Sequence, residues 1–304
     1  MPRLSIIVPH LQDDAGLELT TLSVLENREP EIEILIAHDG SYPDPYGLGQ
    51  DEAVLIESRK GESLSSQINL AVSAACSPYI QVLMPGAIVD EGWHVESMEL
   101  LSDRSIDAAC TPVRTNGCNE AVLGLSGESL PHRRITSNPS LVAGPMLFGS
   151  ILRKRVFQSL GGWLPGCNRE VAEVEFSLLF ETFGLELGIA ETATIRAEKR
   201  IAKGQEAGYE IGHACGQLAC AYASIEDSGV SISSLSQRLG HLASGLMSPK
   251  TVAERLGWVM GIRNRAYVEI IRSRIARADA ALLRPASTIP HPSLASPAQH
   301  RRAA

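Results

Sequence analysis

The stretch Ile32-Glu-Ile-Leu-Ile-Ala-His-Asp-Gly-Ser-Tyr-Pro-Asp-Pro45 decides the fold. It begins as a strand whose alternating isoleucines supply one apolar face, while Leu35 and Ala37 keep the other face apolar. Strands that are covered on both faces are typical of parallel α/β sheets. The strand ends at His38-Asp39-Gly40-Ser41, where Gly40 permits backbone angles that other residues avoid and the two prolines stop regular structure. A carboxylate, hydroxyls and backbone amides therefore follow the carboxyl end of a buried strand, which is where open α/β sheets bind ligands.

Strand-like and helix-like segments alternate along the first two thirds of the chain. Short apolar runs predict strands, and apolar residues spaced three and four apart predict helices. Besides 32–37, we expect strands at 4–8, 53–57, 79–84, 107–113, 121–125 and 188–197, and helices after Asp13 or Asp14 and at about 64–75, 93–101, 153–162 and 170–183. This alternation predicts an α/β fold with right-handed crossovers and a mostly parallel central sheet flanked by helices.

The composition is that of a globular protein whose partners are not nucleic acids. The 304 residues can bury a full core, 44% of them are hydrophobic and 20% are charged, and the net charge is −8. Negative net charge argues against a nucleic-acid footprint. The sequence also lacks a G-x-G-x-x-G fingerprint after the first strand and lacks a P-loop, which argues against a dinucleotide-binding domain and a P-loop NTPase.

Three regions of different composition follow one another. The α/β pattern covers residues 1–200, and a helical C-terminal region covers 201–284, with helices expected at roughly 205–226, 233–245 and 250–283. Residues 285–304 are rich in proline and serine, and we expect them to be disordered. No apolar run approaches the ~18 residues of a membrane span, no signal peptide is recognisable, and the six cysteines form no C-x-x-C pair. These features predict a cytoplasmic protein with reduced, mostly buried thiols.

The start of the chain resembles the family 2 glycosyltransferases. The resemblance is carried by Leu4-Ser-Ile-Ile-Val-Pro9, the helix that follows, and Ile34-Leu-Ile-Ala-His-Asp-Gly-Ser41, because family members have a first strand ending in Val-Pro and a second ending in Asp-Asp-Gly-Ser. It covers about residues 3–195. It implies the GT-A (Rossmann-like) fold, here with a C-terminal helical extension, and transfer of a sugar from a nucleotide-sugar donor of the UDP or GDP type to a hydroxyl acceptor.

The nucleotide-binding residues that the resemblance implies are Pro9, Asp39, Ser41 and Asn69. Asp39 takes the place of the aspartate that contacts the base, and a carboxylate can accept the N3–H of uracil. The alternative is that Asp39 and Ser41 only cap a turn. Asn69 matches the asparagine of the family's "A-R-N-x-G" helix, where it could contact the donor or buttress a loop.

The family's metal-binding Asp-x-Asp motif is missing. The aligned residues are Leu83-Met84-Pro85-Gly86-Ala87, so that Met84 and Gly86 replace both acidic residues. Neither can coordinate the Mg²⁺ or Mn²⁺ that bridges the diphosphate in the family. The resemblance still allows Mg²⁺ or Mn²⁺ as a cofactor, but without the usual ligands we expect weak or absent metal dependence. Basic side chains can neutralise a diphosphate instead, and Arg133 and Arg134 are candidates for this contact. The alternative is a solvated basic surface loop.

The resemblance places the catalytic base at Glu175. The family's Gly-Gly-aromatic motif is present as Gly161-Gly162-Trp163, and Val174-Glu175 aligns with the Glu-Asp whose aspartate is the base in inverting members. Helical spacing independently predicts that Glu175 faces inward among apolar neighbours and that Glu173 faces outward. An inward carboxylate has a raised pKa, which suits a general base. The alternative is a structural carboxylate paired with a buried arginine or with backbone amides.

Two functions of different classes fit these residues. The first is a metal-independent or weakly active inverting glycosyltransferase. The second is a pseudo-enzyme of the same fold that binds a nucleotide-sugar or a protein partner without turnover, which the loss of Asp-x-Asp favours. The sequence leaves the acceptor open.

The C-terminal helical segment differs in charge from the rest of the chain. Segment 250–284 holds eight basic and three acidic residues and is therefore +5, while the remainder is −13. A basic amphipathic helix could lie on an anionic membrane. We favour the alternative that its apolar stripe packs on the catalytic domain or on a second subunit of a homo-oligomer.

Overall fold

The structure is a computed structural model that describes residues 2–45, 47–49, 51–115, 121–126, 135–167, 169–192, 194–197, 208–222, 249–261 and 265–282. The helices are α1 (Asp14–Asn27), α2 (Leu64–Ala74), α3 (Val95–Leu100), α4 (Lys154–Ser159), α5 (Arg169–Thr182), α6 (Tyr209–Tyr222), α7 (Pro249–Gly261) and α8 (Arg265–Leu282), and a 3₁₀ turn spans Pro139–Leu141. The strands are β1 (Leu4–Pro9), β2 (Ile32–His38), β3 (Val54–Glu57), β4 (Tyr79–Val82), β5 (Ile88–Val89), β6 (Ile106–Cys110), β7 (Val113–Thr115), β8 (Ala121–Val122), β9 (Gly124–Ser126), β10 (Ile135–Thr136), β11 (Val142–Gly144), β12 (Ser150–Arg153), β13 (Glu186–Ile189) and β14 (Ile195–Ala197).

A seven-stranded sheet in the order β13-β6-β12-β4-β1-β2-β3 forms the centre of the fold. Strands β4, β1, β2 and β3 run parallel, and β12 is antiparallel to both of its neighbours. The interior strand β1 is buried along its whole length, and in β2 every residue but Glu33 is buried. The predicted mostly parallel central sheet flanked by helices is confirmed.

Three predicted strands are each divided in the structure, and the one expected at 121–125 is β8 followed by β9, which belong to different sheets. The strand expected at 107–113 is β6 followed by β7, because Pro112 has no N–H for a continuous ladder and its carbonyl accepts from Ile195 N at 2.9 Å. The strand expected at 188–197 is β13 followed by β14. Between them, the backbone N–H groups of Glu191 and Thr192 donate to the Glu96 carboxylate at 2.7 and 2.8 Å, and the chain crosses into a second sheet.

The C-terminal part of the described chain is helical, as the sequence predicts. The single helix expected at 250–283 is two helices, α7 and α8. The boundary expected near residue 200, the helix expected at 233–245 and the tail 285–304 lie outside the described residues, so this division into domains stays a prediction. None of the helices within the described ranges is long and apolar enough to cross a membrane.

Helices α6 and α7 touch backbone to backbone. Gly212 and Gly216 are four residues apart in α6, and Gly257 and Gly261 are four apart in α7. A methyl group added to any of these four glycines would overlap a backbone carbonyl oxygen of the other helix. Glycine at this spacing lets two helices approach closely, and α6 in turn packs on α5.

Helix α8 lies on the rest of the protein. Its buried residues recur at helical spacing, and α8 packs on α6 and α4. They are Val268, Ile271, Arg274, Ile275 and Ala278. The apolar stripe of α8 therefore packs on the rest of the chain, which is the alternative favoured above for the basic C-terminal segment.

Candidate functional site

The carboxyl ends of β1 and β2 lie side by side and begin the candidate site. Pro9, the last residue of β1, is buried opposite Ala37, and the next residue, His10, donates its N–H to the Ala37 carbonyl at 2.7 Å. Pro9 therefore lies at the carboxyl edge of the sheet, beside the end of β2.

Asp39 and Ser41 form a compact turn just past β2. The Ser41 hydroxyl donates to Asp39 Oδ1 at 2.5 Å, and the Gly61 N–H points at Oδ2 from 3.4 Å. The Ser41 hydroxyl, followed by the Gly61 amide, holds the pKa of Asp39 below its usual range. Asp39 is thus an ionised, solvent-accessible acceptor at the carboxyl edge. The turn-capping contacts of the alternative are present as well, and they leave lone pairs free.

His10 and Asp14 belong to the same cluster, and sequence reasoning missed them. His10 Nδ1 lies 3.2 Å from Ser41 Oγ, and His10 Nε2 lies 2.6 Å from Asp14 Oδ1. The imidazole is buried and packs on the Tyr42 ring at 5.4 Å between centroids. The cluster orients Ser41 and closes one side of the edge. The available signal was the Asp13-Asp14 pair one turn after His10, which was interpreted only as a helix cap; Asp13 is that cap.

Asn69 acts as the buttress of a loop. Its side-chain Nδ2 donates to the Trp163 carbonyl at 2.8 Å, and its Oδ1 accepts the Trp163 N–H at 2.8 Å. Both polar atoms of the amide are engaged by one backbone unit, so α2 and the Gly161-Gly162-Trp163 turn are held together. The structure therefore shows the buttressing alternative for Asn69.

The residues at the position of the metal motif do not fit a divalent cation. Strand β4 ends at Val82, Met84 is buried, and the Gly86 N–H donates to the Gly16 carbonyl at 2.9 Å. A thioether and a glycine offer no oxygen ligand to Mg²⁺ or Mn²⁺. Within the described ranges no three His, Cys, Asp or Glu residues are arranged to hold a metal.

Glu175 is buried in an ion pair. Its carboxylate is 0% exposed, and it receives two charge-assisted hydrogen bonds from Arg274 of α8, Nε to Oε1 at 2.7 Å and Nη2 to Oε2 at 3.2 Å. Arg274 also donates to the carbonyls of Gly161 and Gly162. Burial raises the pKa of Glu175, and the guanidinium opposes that shift. Glu175 faces inward as predicted, and its partner is the buried arginine of the structural alternative.

Glu173 does not face outward, and that prediction is wrong. Its side chain is 6% exposed and accepts from Arg169 Nε at 3.3 Å. Burial raises the pKa of Glu173, and hydrogen bonds from Arg169 and from the Phe148 backbone oppose the rise. The helical-spacing argument failed because α5 is enclosed on several sides, with ten consecutive buried residues from Val171 to Phe180.

Arg133 and Arg134 lie outside the described residues, so their contact with a diphosphate stays a prediction.

A cavity of about 750 Å³ opens at the opposite, amino edge of the sheet near Arg28 and Glu33. There the Glu33 carboxylate accepts the N–H groups of Cys76 and Ser77 at 2.6 and 3.1 Å, which makes it a structural anchor.

No profile of a known protein family and no curated protein matches the sequence. The structure is similar to a crystal structure of S. aureus TarS 1-349 in complex with UDP-GlcNAc, with a TM-score of 0.58 and 12% identity over 92% of this chain and 90% of that chain. A structure of S. aureus TarS gives a TM-score of 0.49 and 11% identity over 92% of this chain and 53% of that one. At such identities the likeness concerns the fold, which is that of the GT-A glycosyltransferases.

Proposed function

We propose that this chain is a glycosyltransferase-like protein that binds a nucleotide-sugar of the UDP or GDP type at the carboxyl edge of its central sheet. The observation that carries the proposal is Asp39, an ionised acceptor held by Ser41 and Gly61 at the end of β2. An open α/β sheet binds its ligands at this edge. The similar fold of TarS, crystallised with UDP-GlcNAc, supports the same ligand class.

We further propose that the protein, in the conformation described, holds the donor without transferring its sugar. A general base must reach the proton that it removes. Both oxygens of Glu175 are bound by Arg274 and none of its surface is exposed, so an acceptor hydroxyl has no path to the carboxylate. Met84 and Gly86 add no metal to stabilise the leaving diphosphate.

An inverting, metal-independent glycosyltransferase is the second candidate function, and Glu173 favours it. Glu173 is a buried carboxyl with a raised pKa, and it contacts the Phe148 segment beside the end of β4. Release of UDP from UDP-GlcNAc, measured with the wild type and with Glu173→Gln and Glu175→Gln, separates the candidates. We expect no turnover in any of the three. Turnover that Glu173→Gln or Glu175→Gln abolishes would establish the transferase and identify its base.

Asp39→Ala is expected to weaken UDP binding by about ten- to a hundredfold. A hydrogen bond to a charged group contributes about 1.5–3 kcal/mol, and each 1.4 kcal/mol corresponds to about tenfold in the dissociation constant. Isothermal titration calorimetry with UDP measures the change.

Asp103→Ala is the matched control for Asp39→Ala. Asp103 Oδ1 accepts the N–H and hydroxyl of Ser105 at 2.9 and 2.8 Å, so it caps the same kind of turn away from the site. We expect Asp103→Ala to leave UDP affinity unchanged. Equal affinity in wild type and Asp39→Ala would reduce Asp39 to a turn-capping residue.

The remaining partners are part of the same proposal. A cytoplasmic location fits the free thiols of Cys76, Cys110, Cys167, Cys215 and Cys220. Nucleic acid is not an expected partner. An apolar row on α7 is 41–54% exposed and consists of Val252, Leu256 and Met260. We propose that this row contacts a second subunit and not a membrane. The acceptor stays open.

A further inference from the structure

We propose that Arg169 binds the diphosphate of the donor and supplies the positive charge that a metal ion would otherwise provide. This inference rests on the proposed function, because it assigns one residue of the same site.

Arg169 lies near the end of β4, and the Phe148 residue stands between them. It is the first residue of α5, and its guanidinium lies over the Phe148 ring at 5.6 Å from the centroid. Phe148 forms a bridge with Val82, the last residue of β4, two residues before Met84. The guanidinium therefore sits near the point of the carboxyl edge where the chain offers no metal ligand.

One N–H group of Arg169 has no hydrogen-bond partner within the described part of the chain. The side chain is 11% exposed, and its Nε is taken up by Glu173. Its Nη2 has no hydrogen-bond partner among the described residues, although it is buried. An unpaired buried donor on a charged group is costly, so a donor that is kept in this state is a candidate for an acceptor brought by a ligand. A phosphate oxygen is the acceptor that a guanidinium fork matches best.

Glu173 and Phe148 hold this guanidinium in place. Glu173 fixes Nε, the aromatic ring supports the plane from one side, and the Phe148 N–H in turn fixes the Glu173 carboxyl. Burial raises the pKa of Glu173, and the charge and hydrogen bond of Arg169 oppose that rise. Glu173 is in this account a positioning residue.

The rest of the edge needs such a cation. Asp14 and Asp39 place negative charge at the ends of β1 and β2, where a nucleotide base would lie. A diphosphate held in the same site without compensation would be repelled. Arg59 and Lys60 are close to Gly61 in sequence, but both are exposed, and an exposed charge is strongly screened.

The test measures calorimetric binding of inorganic pyrophosphate, UDP and uridine to wild type, Arg169→Met and Arg169→Lys. We expect Arg169→Met to weaken pyrophosphate and UDP about tenfold or more, as loss of a charge-assisted contact does, and to leave uridine unchanged. Arg169→Lys keeps the charge but not the fork, so an intermediate loss is expected. It also replaces the methionine variant if that variant does not fold.

Arg153→Met is the matched control. Arg153 also stacks on an aromatic ring, that of Tyr79 at 5.5 Å, but its guanidinium donates to Ile106, Leu101 and the Tyr79 hydroxyl at 2.8–3.1 Å. We expect unchanged affinity for all three ligands in this variant.

The outcomes separate this inference from the proposed function. Pyrophosphate binding that depends on Arg169, without any uridine binding, would support the anion contact and contradict the nucleotide site. Equal UDP and pyrophosphate affinity in wild type and Arg169→Met would overturn the inference while leaving nucleotide binding intact. A loss of affinity produced by Lys60→Met and not by Arg169→Met would also overturn it.

Discussion

Arg274→Met is expected to lower the free energy of unfolding by about 3–5 kcal/mol, the usual cost of removing one partner of a buried ion pair. The substitution leaves the Glu175 carboxylate, which is 0% exposed, without the guanidinium that pairs with it and frees the carbonyls of Gly161 and Gly162. Denaturant unfolding followed by circular dichroism measures the loss. It also tests whether α8 is an integral part of the fold.

The destabilisation in Arg274→Met is expected to shrink as the pH falls. Burial already raises the pKa of Glu175 in the wild type, and without the guanidinium nothing in the pair opposes that rise. A carboxyl whose pKa is higher in the folded than in the unfolded state binds more protons when folded, so folding is favoured toward low pH and weakened as the pH rises through that range. We therefore expect a smaller loss at pH 5 than at pH 8.

Two further variants complete the experiment on the ion pair. Arg274→Met combined with Glu175→Leu is expected to recover much of the stability, because no charge is then left unpaired in the interior. Arg272→Met removes an arginine from an exposed pair with Glu269 at 2.9 Å, and it is expected to change stability by less than about 1 kcal/mol. If Arg274→Met is as stable as Arg272→Met, the pair does not hold α8 on the domain.

Gly216→Ala is expected to destabilise the protein by about 1–3 kcal/mol, the usual cost of overpacking. Helix propensity alone predicts the opposite sign, a gain of about 1 kcal/mol for alanine in place of glycine. The packing effect is expected to win because the new methyl group would overlap the carbonyl oxygen of Trp258, a backbone atom that moves only if α7 moves.

Gly208→Ala is the control for the α6–α7 contact. Gly208 precedes α6, and a methyl group added there meets no atom of the described residues within 4 Å. We expect its unfolding free energy to match that of the wild type or to exceed it slightly. A Gly216→Ala protein as stable as the wild type would show that the two backbones are farther apart than described.

The order of the central elements could be predicted from the sequence because the signal there is local. β2 is apolar on both faces and ends at Asp39-Gly40-Ser41, and this pattern by itself predicts a buried parallel strand with a polar edge. The division of the last predicted strand at Glu191-Thr192 could not be predicted, because it depends on the Glu96 carboxylate, which is distant in sequence.

The candidate site divides in the same way. Asp39 and Ser41 are adjacent to their strand, and their place follows from the strand. The roles of Asn69 and Glu175 depend on Trp163 and Arg274, which lie 94 and 99 residues away along the chain. Sequence reasoning could therefore state the alternatives for these two residues without deciding between them. Arg169 and Glu173 were missed because an i,i+4 pair is also the usual pattern of an exposed helix surface.

Calorimetric titration of the wild-type protein with UDP-GlcNAc, in EDTA and in Mn²⁺, tests the central claim most directly. We predict saturable one-site binding with the same dissociation constant in both buffers, because Arg169 supplies the positive charge at the diphosphate and Met84 and Gly86 supply no ligand to a metal ion. Absence of binding to UDP-GlcNAc and to the corresponding GDP-sugar, or binding that appears only with Mn²⁺, would contradict the account.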